Sequence, residues 1–412
     1  MSAPPASPSP HPGLGFRAFV ALIALLMAMN AIAIDIMLPA LPAMARDFGL
    51  PDPNEAQWII AAYVLGFGVA QLVYGPVSDR YGRRPVLLVG LVLYMLTATI
   101  AAFADTFATM IVARILQGIA AASTRVIASA VVRDCYSGRQ MARVMSLSFM
   151  VFLAVPVMAP AVGQVVLMLA PWHSIFALLA VYAAGVTAFV WLRMPETLHP
   201  EYRQPLQVGR IVEAARTVVT DRAALGYSLA LALMFGSLMA FINSSQQIFA
   251  ESFHAPGLFP IAFAACAGTM ACGSYVNSRL VERLGTRRLS HGALAGFVVT
   301  SALHAAVALT GFETIWTFVA LQALGMLAFS FASSNFGAMA MENLGAIAGT
   351  ASSLQGFTMS VGGAVIGIAI SQGFDGTTVP IVLGYLVAGL AALAVVAVTE
   401  RGRLFRSHQA PA

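Results

Sequence analysis

Twelve predominantly apolar stretches follow one another at 17–44, 56–77, 86–104, 108–132, 142–169, 175–193, 223–249, 258–279, 289–311, 315–340, 347–373 and 379–398. A helix of about 20 apolar residues spans the hydrocarbon core of a bilayer. The expected fold is therefore an all-α polytopic membrane protein with 12 transmembrane helices. The lipid bilayer is its first expected partner.

Only 9% of the 412 residues are charged and 59% are hydrophobic, against about a quarter charged in soluble domains. Every one of the 22 basic residues is an arginine. They sit in short breaks between apolar spans and form no basic stripe, so no nucleic-acid partner is expected. Cys135, Cys266 and Cys272 have no paired spacing and read as packing residues, with neither a disulfide nor a metal expected. Residues 1–15 are rich in Pro, Ser and Ala and lack the charged leader of a cleaved signal. They read as a disordered tail.

Cytoplasmic loops collect positive charge. With the N-terminus inside, all arginines but Arg46, Arg114 and Arg125 fall on the inner side, so both termini are expected in the cytoplasm. The expected organisation is a cytoplasmic tail 1–15, a six-helix bundle 16–193, a cytoplasmic linker 194–222, a second six-helix bundle 223–398 and a cytoplasmic tail 399–412. The loop between the second and third spans, Gly75 to Arg84, carries Gly75, Asp79, Arg80, Gly82, Arg83 and Arg84 and reads as a latch. A degraded copy, Ser278 to Arg288, stands at the same place in the second half. Two parallel six-helix repeats are an architecture in which transporters hold a site between the halves and rock around it.

Of the acids, Asp35 alone lies well inside a span. A charge there costs about 2.5–3.5 kcal/mol on insertion scales, so such a residue is usually functional and paired. Counting 1.5 Å per residue from the helix ends puts Arg114 at a similar depth, with Arg125 nearly three turns further along the same face. The expectation is that Asp35 carries a proton and that Arg114 offsets the cost of burying its charge. A static brace between the two is the alternative. Arg114, Gln117, Gly118, Ala121 and Arg125 share a helical stripe and would line a wet cavity. Tyr63, Gln71, Asn243, Gln246, Gln247, Asn335 and Gln355 are further cavity candidates, each of which could instead be an interhelical hydrogen bond. His304 reads as a packing residue.

The loop motif matches, without a gap, the signature of the major facilitator superfamily, and the resemblance runs from Phe16 to Thr399. Arg114-Ile115-Leu116-Gln117-Gly118 resembles the helix 4 signature of proton-coupled members. Pro156, Pro160 and Gly163 resemble the helix 5 antiporter signature, with Ala159 and Gln164 replacing two of its glycines. Asp35 to Pro42, Ala130 to Asp134 and Ala348 to Ser353 resemble the Bcr/CflA group of bacterial drug exporters. The resemblance implies a drug:proton antiporter of the bacterial inner membrane, exporting bicyclomycin- or chloramphenicol-type compounds and using protons and no other cofactor. It also implies that the latch stabilises an outward-open state, with Asp79 at the N-terminus of helix 11 and Arg83 near Asp134. The positive charge of Arg114 and Arg125 points to small neutral or anionic hydrophobic substrates, and a monomer is expected. A transporter of a native metabolite and a membrane receptor are the rival readings. An enzyme is disfavoured by the lack of His-Glu-x-x-His, Gly-x-Ser-x-Gly or clustered acids in the spans.

Overall fold

The computed structural model describes residues 14–136, 138–203, 208–344 and 347–405, so most of the N-terminal tail, half of the C-terminal tail and part of the linker lie outside the described residues. Among the described residues the protein is helical and without strands. The first span is not one continuous helix. α1 (Phe16–Asp35) ends at Asp35, a short 3-10 turn follows at Leu38–Ala40, and α2 (Leu41–Asp47) completes the crossing. The cause is Pro39 and Pro42, which lack the N–H groups that would bond the carbonyls of Asp35 and Leu38.

The other crossings are α3 (Trp58–Tyr81), α4 (Arg83–Ala102), α5 (Phe107–Cys135), α6 (Gly138–Leu169) and α7 (His173–Arg193), then α9 (Arg222–Gln247), α10 (Phe259–Leu284), α11 (Thr286–Leu309), α12 (Ile315–Ala340), α13 (Ala348–Ser371) and α14 (Val379–Thr399). Eleven crossings are long and apolar enough over their described residues, and α6, apolar from Ala154 to Leu169, makes the twelfth. Between the halves the expected linker contains a helix of its own, α8 (Val208–Thr220), packed on α9 and α13.

The packing repeats. α1 packs on α5, α6 and α7 as α9 packs on α12, α13 and α14; α3 on α5 matches α10 on α12; α4 on α5 and α7 matches α11 on α12 and α14. The halves meet along two equivalent seams, α3 with α13 and α6 with α10. Lipid tails are as apolar as leucine, so close packing and interhelical hydrogen bonds hold such bundles together.

Candidate functional site

The break in α1 positions the site. Asp35 is its last helical residue, 4% exposed, and its side chain has no hydrogen-bond or ion-pair partner among the described residues. Gly163 of α6 lies directly against the break: a Cβ there would stand 1.9 Å from the Ile36 carbonyl oxygen and 3.2 Å from Pro39. Only glycine lets α6 come this close. Buried Pro160 lies one turn before it on α6, and half-buried Pro156 one turn earlier again.

Arg114 is at the expected depth but does not pair with Asp35. Its Nη2 donates to the Ala33 carbonyl at 3.1 Å, its Nε to the Ile59 carbonyl at 3.0 Å and its Nη1 to Gln117 Oε1 at 2.7 Å. The guanidinium also lies 4.4 Å from the centre of the Tyr63 ring and 5.8 Å from that of Phe176, a cation–π arrangement favoured in a desolvated pocket. Tyr63 in turn donates to Asn30 at 2.9 Å. Arg114 is thus a brace that ties α1, α3 and α5 together through backbone carbonyls, and it leaves the carboxylate of Asp35 unpaired. Arg125, on the same stripe, is exposed and without a side-chain partner among the described residues.

The remaining cavity candidates divide. Gln71 donates across the α3–α13 seam to Ser360 Oγ at 3.1 Å. Asn335 donates to Asn277 Oδ1 at 2.9 Å and Gln355 to the Gly337 carbonyl at 3.1 Å, both within the second half. Asn243 and Gln246 are buried on α9, with Asn243 Oδ1 and Gln246 Oε1 lacking a hydrogen-bond partner among the described residues. Those two oxygens are polar groups a ligand could satisfy.

Gln247 belongs to a different structure, one that sequence reasoning missed. Gln57 donates to Gln247 Oε1 at 2.6 Å, and Gln247 donates to Asn54 Oδ1 at 2.8 Å. Asn54 donates to the Phe374 carbonyl at 2.8 Å, while Gln372 donates to the Asn54 carbonyl at 2.7 Å and to Gln57 Oε1 at 3.1 Å. This amide clasp joins the halves at the end of the bundle away from the arginine-rich loops.

At the arginine-rich end Arg83 is buried and pairs with Asp79 at 2.5 Å and Asp134 at 3.0 Å. No bond from Asp79 to α13 occurs among the described residues, in contrast to the expected placement at that helix N-terminus; with the clasp closed at the other end, Asp79 stays within its own half. Glu196, which sequence reasoning left in the linker, accepts from the backbone N–H groups of Arg83 and Arg84 at 2.8 and 3.2 Å. A carboxylate is favourable there, at the positive end of α4. Gly82 is needed on two counts: its φ is +102°, and a Cβ would stand 2.3 Å from Glu196 Oε2. Arg84 also reaches the Trp191 carbonyl at 2.7 Å, Arg80 is exposed over Tyr81, and Gly75 faces Ser353 of α13.

The second half carries the same device at an altered register. Gly285 has the backbone of Gly82, φ +79° and ψ 154° against +102° and 157°. Arg287 bridges Glu342 at 2.9 Å and Glu400 at 3.1 Å. Glu400 stands at the end of α14 as Glu196 stands just past α7, a spacing that a repeat search over acids would have found. Arg83→Ala is expected to cost about 2–3 kcal/mol, because it strands partly buried Asp134. Asp79→Asn should cost under about 1 kcal/mol, since Asp79 is half-exposed. Thermal unfolding midpoints of the two variants in detergent check this order.

Two pseudo-symmetric six-helix bundles meeting at two seams, with a broken first helix that ends on a buried acid, define a fold of membrane transporters. The profile described as Major Facilitator Superfamily matches residues 23–367, and the chain belongs to that superfamily, whose members bind small-molecule substrates within the membrane. It is 29% identical to the uncharacterised MFS-type transporter YdgK of Bacillus subtilis over 84% of this chain and 86% of that protein. It is 28% identical to a bicyclomycin resistance protein homologue of Haemophilus influenzae over 86% of this chain and 89% of that protein. Among solved structures, the D-xylose-proton symporter shares the fold at TM-score 0.71 and 14% identity, over 92% of this chain and 95% of that one.

Proposed function

We propose that this transporter is a proton-coupled exporter of small, largely neutral or anionic hydrophobic drugs of the bicyclomycin or chloramphenicol kind. In this reading it sits in the bacterial inner membrane with its arginine-rich end and both termini in the cytoplasm, and works as a monomer. The observation that carries it is Asp35: a buried carboxyl at the proline break of α1, unpaired, with Gly163 holding α6 against the same break. An unwound turn inside a bundle is where transporters place coupling ions. A proton from outside reaches Asp35 and drives substrate release; its departure to the cytoplasm restores affinity. The amide clasp then closes the outer face while the cytoplasmic face is open to substrate.

Unpaired Arg125 supports the substrate class, since a lone cation in the pathway disfavours cationic drugs. Arg125→Ala is expected to reduce transport of an anionic substrate about tenfold relative to a neutral one, the worth of one charge contact of about 1.4 kcal/mol. It should leave stability within about 0.5 kcal/mol. Uptake assays with a charge-matched pair of substrates check it. For the proposal as a whole, flux in proteoliposomes under an imposed pH gradient is the test: substrate should move against the proton flow. Movement with the protons, or flux indifferent to the gradient, refutes export by antiport.

A further inference from the structure

We propose that the groove between α11 and α12, at the arginine-rich end of the second half, binds one anionic phospholipid, with its phosphate on Arg288 and one acyl chain along the glycines of α11. The groove holds about 340 Å³ and runs from Arg288 past Gly292 and Gly296 to Thr300, with Leu324 and Phe331 of α12 on its other wall. It is open because α11 carries no side chain along this line. A Cβ at Gly292 or at Gly296 would meet nothing within 4 Å.

The surface around the groove is built to meet hydrocarbon. Val299, Leu303 and Leu324 are 66%, 54% and 52% exposed, and neither α11 beyond Arg288 nor α12 carries an Asp, Glu, Lys or Arg. An empty groove forfeits the dispersion contacts of its walls, which a chain lying in it restores. From Arg288 to Thr300 the groove is about 18 Å long at 1.5 Å per residue, close to the hydrocarbon depth of one leaflet, about 15 Å. Spread over that length, its volume has room for one hydrocarbon chain and not for a helix about 10 Å across. A lipid therefore fits where a helix of a second protein does not.

Arg288 supplies the charge complementarity. It is exposed in the first turn of α11 and its side chain makes no hydrogen bond or ion pair among the described residues, whereas neighbouring Arg287 is taken up by Glu342 and Glu400. No acid lines the groove. A guanidinium can hold a phosphate through two parallel hydrogen bonds, and this one stands where the apolar wall begins, so headgroup and chain are engaged together. The first half lacks these features. With Gly82 laid on Gly285, Pro85 takes the place of Arg288, and Val89 and Leu93 take the places of Gly292 and Gly296. The inference draws on the bilayer setting alone and not on the proposed proton coupling.

The test uses full-length protein in detergent micelles and phosphatidylglycerol carrying a photoactivatable diazirine at mid-chain, with the labelled peptides mapped. Label should concentrate on the stretches of α11 and α12 that line the groove. Phosphatidylcholine with the same chains, whose headgroup has no net charge, should label them about fivefold less, the worth of one arginine near an anionic headgroup. Arg288→Ser should erase that difference between the two lipids, while Arg193→Ser, at an exposed arginine of the first half, should preserve it. Gly292→Leu should close the site to both lipids. The new side chain enters open space and leucine is the better helix former, so the variant keeps its fold. A preference for phosphatidylglycerol that survives Arg288→Ser, or labelling of the groove that persists in Gly292→Leu, overturns the proposal. Displacement of the lipid by inorganic phosphate or by a chloramphenicol-type compound also overturns it, assigning the groove to a free anion or to substrate.

Discussion

Asp35→Asn is expected to abolish accumulation of substrate against its gradient, by roughly 100-fold or more, the scale on which a positioned proton-transfer group matters. Asparagine has nearly the shape of the carboxyl it replaces, so the packing of Gly163 on the Ile36 carbonyl should survive, and only the capacity to carry a proton is lost. Exchange of labelled for unlabelled substrate, which needs no net proton movement, should remain. Expression and thermal stability should stay close to the parent. Loss of both exchange and accumulation would mean that Asp35 serves the architecture of the break, and retention of both would remove it from the coupling reaction.

Arg114→Ala should fail in a different way. The guanidinium is fully buried and makes three hydrogen bonds, two of them to the carbonyls of Ala33 and Ile59 on separate helices. Stranding a buried acceptor costs about 1–3 kcal/mol. Two such carbonyls, with the lost contacts to Tyr63 and Phe176, should lower stability by about 3 kcal/mol or more. Arg114→Lys is expected to be little better, because one ammonium cannot reproduce a planar fork that serves three acceptors at once. Unfolding midpoints in detergent check both variants. A normal midpoint together with lost coupling would restore Arg114 to a direct part in proton transfer.

The difference between these two residues marks how far the sequence could be read. Their shared depth followed from helix rise alone. Their relative orientation did not, because Pro39 and Pro42 interrupt the helix just beyond Asp35, and a count of residues per turn carries no information across a break. The same limit applies to Gln247 and Gln71. A polar residue in an apolar span announces that it needs a partner but not whether that partner lies across a cavity, a seam or a clasp. The helices and the repeat were legible because hydrophobic length and the spacing of Gly, Arg and acid residues survive in one dimension. The repeat also hid something: in the second half the bridging role of Arg83 is taken by Arg287, one step out of register with the matching glycine. His304 stands 2.8 Å from Glu313, a proximity the sequence did not announce because Glu313 sits in a loop where an acid is ordinarily solvated.

The central claim, that substrate and proton compete through Asp35, is tested most directly by substrate-driven proton release. Purified protein in weakly buffered detergent solution is mixed with a bicyclomycin- or chloramphenicol-type compound, and the proton yield per protein is recorded against pH. The account predicts release from the parent over a limited pH window, approaching one proton per protein, and none from Asp35→Asn under conditions where that variant still binds the compound. Equal release from the two proteins would contradict it.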